Sequence, residues 1–156
     1  MATAENTVLM EGVRIIFRNF AGKEGQYNRA GDRNFGVILP PDVAERMLAD
    51  GWNVKYLKPR EDDEEEVETP WLAVSVKYDK GRPPKILLVT SRGRTNLDEE
   101  SVETLDWADI LNVDLIVRPY TWEVSGKTGI KAYLQSMYIT IEEDELERKY
   151  AEMDEQ

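Results

Sequence analysis

The chain has neither cysteine nor histidine among its 156 residues. Without cysteine there is no disulfide and no thiolate metal site, and a reducing compartment is allowed. Without histidine the usual general base at neutral pH is missing, as are the commonest metal ligand and any Ser-His nucleophile pair. No apolar run approaches the roughly 18 residues a membrane helix needs, and the first residues show no signal-peptide pattern. Carboxylate-only metal chemistry is left. The acids of 61–68, however, succeed one another with no Gly or Asn to turn them onto one ion. Gly126-Lys127-Thr128 echoes the end of a phosphate-cradling loop, but that motif needs a glycine five residues before Gly126, where Thr121 stands. These absences predict a protein that is not an enzyme, binds no cofactor or metal and does not enter a membrane.

What is present is charge, unevenly spread. The net charge is −11. Glu61–Glu68 carries −7, Asp98–Asp109 carries −6 and Glu142–Glu155 carries −6. Those three segments hold −19, which leaves +8 on the rest of the chain. A basic body with acidic appendages shows a partner a different surface from the one the net charge suggests.

The chain reads as many short β-prone stretches: Val8–Phe20, Asn34–Leu39, Trp52–Leu57, Pro70–Tyr78, Lys85–Thr90, Ile110–Val124 and Gly129–Ile141. Val13, Ile15 and Phe17 fall on one face of the first stretch, and Arg14, Ile16, Arg18 and Phe20 on the other. Ala21–Asp32 is a Gly-rich loop and a candidate flexible finger. Two helices are predicted, one after Pro40-Pro41 with Asp42 as N-cap and Gly51 as its stop, the other over Leu97–Trp107. Glu142–Gln156 reads as a helical acidic tail. This is the pattern of a small antiparallel barrel with two inserted helices, an OB-fold foremost. A mixed α+β sheet is the alternative. Residues 1–141 form the domain and 142–156 the tail.

The most informative stretch is Arg118–Gln135, a hairpin closed on Gly126-Lys127. That turn pairs Trp122 with Lys131, Tyr120 with Tyr133 and Arg118 with Gln135, and a register slip of two preserves the division between faces. One face then carries cations and three aromatic rings, the other Val117, Pro119, Thr121, Ile130, Ala132 and Leu134. Rings that stack on bases, set among cations that hold phosphates, are what a single nucleic-acid strand requires. The candidate stacking residues are Tyr120, Trp122 and Tyr133, with Phe20 and Tyr27. The candidate phosphate ligands are Arg18, Lys23, Arg33, Arg92, Arg94, Lys127 and Lys131. Phe17, Phe35, Trp71 and Trp107 are in apolar phase and are assigned to the core, while Trp52 fits either place. Two rival readings are an acidic protein that imitates DNA and blocks a DNA-binding partner, and a carboxylate-metal nuclease.

Four motifs in order, Phe17-Arg-Asn-Phe20, Tyr27-Asn28 with Gly31-Asp-Arg-Asn-Phe35, Thr90-Ser-Arg-Gly-Arg-Thr95 and the hairpin Arg118–Tyr133, resemble the single-stranded DNA-binding proteins of tailed bacteriophages. The resemblance spans residues 8 to 141. It implies an OB-fold, sequence-tolerant binding of single-stranded DNA, and a role in phage replication, recombination or repair in the host cytoplasm. It also implies replication or recombination proteins as partners of the tail. Many tails of this kind end in an aromatic residue, whereas this one ends Met153-Asp-Glu-Gln156. An edge strand of a small barrel would allow a homodimer.

Overall fold

The computed structural model describes residues 7–26, 28–59, 68–79 and 81–143. The chain is mainly β. In order it forms β1 (Val8–Met10), β2 (Ile15–Asn19), β3 (Arg33–Ile38), α1 (Pro41–Asp50), β4 (Val54–Leu57), β5 (Thr69–Val76), β6 (Lys85–Thr90), β7 (Gly93–Leu97), a short 3₁₀ turn (Val102–Asp106), β8 (Ile110–Val124) and β9 (Lys127–Ile141). The expected acidic loop 61–68, apart from Glu68, and the tail beyond Glu143 lie outside the described residues, as does Tyr27.

The long strand β9 is the spine. β8 runs antiparallel along one of its edges for almost its whole length. On the other edge β5 meets it in parallel at Val74–Ala132 and Ser75–Tyr133, and farther along β6 pairs in parallel from Lys85–Ser136 to Val89–Thr140. The path across the sheet is β1-β8-β9-β5-β3-β2, and it does not close. The expected small antiparallel barrel is corrected to an open, mainly β sheet with two parallel pairings.

Strict alternation decides which face is buried. In β5, Leu72, Val74 and Val76 are buried while Trp71, Ala73 and Ser75 are only half-buried on the other side. In β9, Ala132 and Leu134 point inward, then Met137 and Ile139. The phase shifts because Gln135 is an extra residue between the Leu134–Val117 and Ser136–Ile116 pairs. The resulting interior of Phe20, Phe35, Leu72, Ile86, Leu115 and their neighbours is wholly apolar, with no buried charged or polar residue among the described residues.

Helix α1 covers one end of this core with Ala44 and Met47. Its N-cap is Pro40, which makes no side-chain cap, so Asp42 sits in the first turn and not at the cap. There its charge still suits the helix dipole. Gly51 ends the helix in the left-handed region, and its N–H donates to the Leu48 carbonyl. The chain then drives Trp52 into the interior.

The second expected helix does not form. Leu97 closes β7, and the Asp98 carboxylate accepts the backbone N–H groups of Glu100 and Ser101 and the Ser101 hydroxyl, at 2.9–3.0 Å. The Ser101 side chain, then its backbone N–H, hold the Asp98 pKa below its usual value. These are the contacts of a helix N-cap, and they open a turn in which the Val102 N–H donates to the Asp98 carbonyl at 2.9 Å. The chain then makes one 3₁₀ turn, whose inward residues Val102 and Leu105 are three apart, the period of that helix.

One local event redirects β2. Ile15 faces Val37 and Ile16 faces Gly36, but the ladder resumes only at Asn19–Asn34. Three steps on β2 therefore oppose two on β3, a bulge of one residue. Phe17 stands at φ 52° within it. A non-glycine residue there costs about 1–2 kcal/mol. The extra residue exchanges the faces. Phe17 turns outward, 58 % exposed, and Phe20 turns inward, 0 % exposed and stacked on Phe35 at 5.1 Å.

Candidate nucleic-acid interface

The β8–β9 hairpin turns on Ser125-Gly126, one residue earlier than the sequence suggests. Both residues have positive φ, 51° and 80°, the requirement of a two-residue type I′ turn. Its register is therefore Trp122–Gly129, Tyr120–Lys131 and Arg118–Tyr133, slipped by two from the expected one. Because side chains alternate with period two, the slip leaves every residue on its expected face.

That face turns away from the core. Tyr120 and Tyr133 are diagonal neighbours and stack with centroids 5.1 Å apart and planes at 12°. The Arg118 guanidinium lies 5.3 Å from the Tyr133 ring centre and the Lys131 ammonium 5.9 Å. Tyr133 is only 7 % exposed, but it does not belong to the interior cluster. It is the lower ring of the stack, and Tyr120, 49 % exposed, is the upper one. Trp122, 37 % exposed, lies flat over the Gly129 backbone: a Cβ on Gly129 would stand 2.6 Å from Trp122 Cζ2. Lys127 is exposed beside the turn.

The other candidate residues are dispersed. Phe20 is corrected: it is a core side chain and offers no ring face to a ligand. Arg18 donates from Nη1 to the Leu105 and Ala108 carbonyls, both at 2.8 Å, and so ties β2 to the 3₁₀ segment. Arg33 pairs with Glu99 at 3.2 Å and lies 5.7 Å from the Tyr78 ring. Burial pushes the Tyr78 hydroxyl up to about 12. Lys23 stands 4.9 Å above Trp107, which the sequence assigns to the core but which is exposed. Arg94 lies 5.4 Å from the Tyr138 ring, at the far end of the same sheet face. Arg92 is exposed in the β6–β7 turn, next to Ser91, whose N–H and hydroxyl donate to Glu143 at 2.8 and 2.6 Å.

The Gly-rich loop is not the loose finger its glycines suggest. The Asn28 amide donates to the carbonyls of Lys23, Arg29 and Asp32, and its oxygen accepts from Asn34. The Asn19 side chain clasps Lys23 at both its N–H and its carbonyl. Asp106 accepts the N–H groups of Phe20 and Ala21 at 2.7 and 3.1 Å, which fixes the root.

Phe17 and Trp71, assigned to the core from sequence, lie instead on the outer face. Phe17 meets Trp71 edge-on at 5.1 Å, and Lys55 lies 5.5 Å over Trp71. These rings share that face with Tyr133, since Trp71 and Ser75 are in phase on β5 and Ser75 pairs with Tyr133. Phe17-Arg-Asn-Phe20 was the signal that bore on Phe17. Two aromatics three apart fall on opposite faces, so one of them had to leave the core. Which one leaves depends on the bulge, and alternation alone does not reveal a bulge. Among the described residues no three His, Cys, Asp or Glu side chains converge as metal ligands would.

Rings held among cations on a sheet face offer what a single nucleic-acid strand can stack on and pair its phosphates with. Residues 2–156 match the family model described as "Putative phage ssDNA-binding domain". The chain belongs to that family, which binds single-stranded DNA and is not enzymatic. No curated protein matches the sequence. Among solved structures, the single-stranded DNA-binding protein of bacteriophage Enc34 in complex with ssDNA is similar at TM-score 0.57 and 13 % identity, over 90 % of this chain and 89 % of that one. A C-terminal truncation of the same phage protein is similar at TM-score 0.54 and 14 % identity, over 90 % and 88 %. At such identities the likeness is one of fold.

Proposed function

We propose that this protein binds single-stranded DNA, with little regard to sequence, across the outer face of β8 and β9. Bases stack on Tyr120 and Trp122, with Tyr133 as the ring beneath. Arg118, Lys127 and Lys131 hold phosphates beside them, and Lys23, Arg92 and Arg94 extend the positive field. The observation that carries the reading is the Tyr120–Tyr133 stack, flanked by Arg118 and Lys131, with Tyr120 exposed over a Tyr133 that lies outside the apolar interior cluster. Each base–aromatic stack is worth about 1–3 kcal/mol and accepts any base. Coating the strand in this way protects it during phage replication, recombination or repair in the cytoplasm of the host cell.

The mainly β fold, which we read as related to the OB-fold, is in keeping with this reading. The β-rich domain of residues 1–141 carries the DNA, and the acidic segment 142–156 recruits replication or recombination proteins. Fluorescent oligo-dT titrated at about 50 and 200 mM salt tests the binding itself. Three to four phosphate contacts on a single strand predict a loss of roughly 20- to 50-fold in affinity over that range. Affinity that does not fall with salt, or no binding at either salt, would falsify the proposal.

A further inference from the structure

We infer that Phe17 and Trp71 form a second stacking station for the same DNA strand, separate from the β8–β9 rings. The inference rests on the single-stranded DNA reading above. Three features build the station. Phe17 adopts a backbone conformation that is unfavourable for any residue with a Cβ, and the conformation places its ring in solvent rather than in the core. The same bulge that buries Phe20 leaves the Phe17 ring 58 % exposed and fixed on the outer face, where a base can reach it. Gly36 is buried beneath Trp71: a Cβ there would stand 2.6 Å from Trp71 Cε3, so the missing side chain lets the indole lie flat on the sheet. Lys55 stands over that indole.

The electrostatics agree. A groove of about 670 Å³ on one side of Phe17 is lined by Arg14, Arg18 and Lys58. A groove of about 530 Å³ on the other side runs along Trp71 and the small side chains Ala73 and Ser75 toward β9. Among the described residues neither groove is lined by a carboxylate. The low floor of Ala73 and Ser75 joins the two stations. From Trp71 to Ser75 the strand rises ~13 Å, and one strand spacing of ~4.8 Å leads on to Tyr133, a separation of ~14 Å. About four nucleotides at the ~3.4 Å rise of duplex DNA cover that distance, and fewer when the strand is stretched.

The test uses oligo-dT of two lengths on the full chain. Phe17→Asn removes the ring, and asparagine tolerates the left-handed backbone, so the fold is kept and the melting temperature holds or rises. Its affinity for an oligo-dT of about twelve nucleotides is expected to fall about 5- to 150-fold, the loss of one stack. Its affinity for an oligo-dT of about four nucleotides changes less than about threefold, because the β8–β9 rings still take it. Equal loss at both lengths, or none at either, overturns the second station while leaving DNA binding in place. If the unaltered protein binds neither oligonucleotide, the DNA reading itself falls and takes the station with it. Photocrosslinking of a 5-iodouracil oligonucleotide to the unaltered protein gives a readout free of any folding effect. Adducts on Phe17 or Trp71 are expected, and adducts confined to Tyr120, Trp122 and Tyr133 overturn the proposal.

Discussion

The β8–β9 hairpin and β2 both carry aromatics and cations, and the two regions behave differently. In the hairpin the side chains alternate without interruption from Val117 to Val124, so position along the strand gives the face. In β2 one residue in a left-handed conformation exchanges the faces halfway. Phe17 and Phe20 consequently trade places between core and solvent. A period-two pattern identifies a binding face only as far as the strand stays regular. Beyond a bulge, the same residues carry the opposite meaning.

Substitutions can break this contrast. Phe20→Ala should cost the most, about 3–5 kcal/mol of stability by urea unfolding, because it empties a fully buried site against Phe35. Oligo-dT affinity of the folded fraction should not change; a large loss of affinity at full stability would return Phe20 to the binding surface. Gly36→Ala forces a methyl into the Trp71 ring and against Ile16, so overpacking should cost about 1–3 kcal/mol. Gly129→Ala meets a ring that is free to swing into solvent. Its stability should change by less than about 1 kcal/mol, the range of substitutions at open positions. Its affinity for oligo-dT should still drop, as Trp122 leaves its flat pose. The last effect appears only at alkaline pH. Tyr78 keeps its proton in the folded chain up to about 12, whereas the unfolded chain ionises it near 10. The folded state then binds more protons, so stability falls as pH rises through that window. A spectrophotometric titration in which every tyrosine ionises near pH 10 would contradict this.

Much of the hairpin was legible because its chemistry is local. The alternation of Arg118, Tyr120 and Trp122 against Val117, Pro119 and Thr121 survives a register error of two. The turn falls one residue earlier than a glycine-first loop, because Ser125 takes the positive φ of its first position, 51°, and Gly126 the second. The alternation of β5 was legible for the same reason as the hairpin, but Trp71, assigned to the core from sequence, lies with Ala73 and Ser75 on the outer face. The parallel seams of β9 with β5 and β6 were not legible, because they join segments far apart in sequence and leave no local mark. The helix expected over Leu97–Trp107 has a start signal, Asp98 capping the N–H groups of Glu100 and Ser101, but the chain continues only as the short 3₁₀ turn Val102–Asp106. Arg18 and Arg33 look from sequence like free cations; a carbonyl pair and Glu99 engage them in the fold.

The central claim is that the rings of β8 and β9 on the outer face hold the DNA strand. Its most direct test is the oligo-dT affinity of Tyr120→Ala/Trp122→Ala beside that of the unaltered protein, with melting temperatures measured on both. The expected result is an unchanged melting temperature and an affinity lower by about 1–3 kcal/mol for each ring removed. Equal affinity in the two proteins would contradict the claim and move the DNA to another surface.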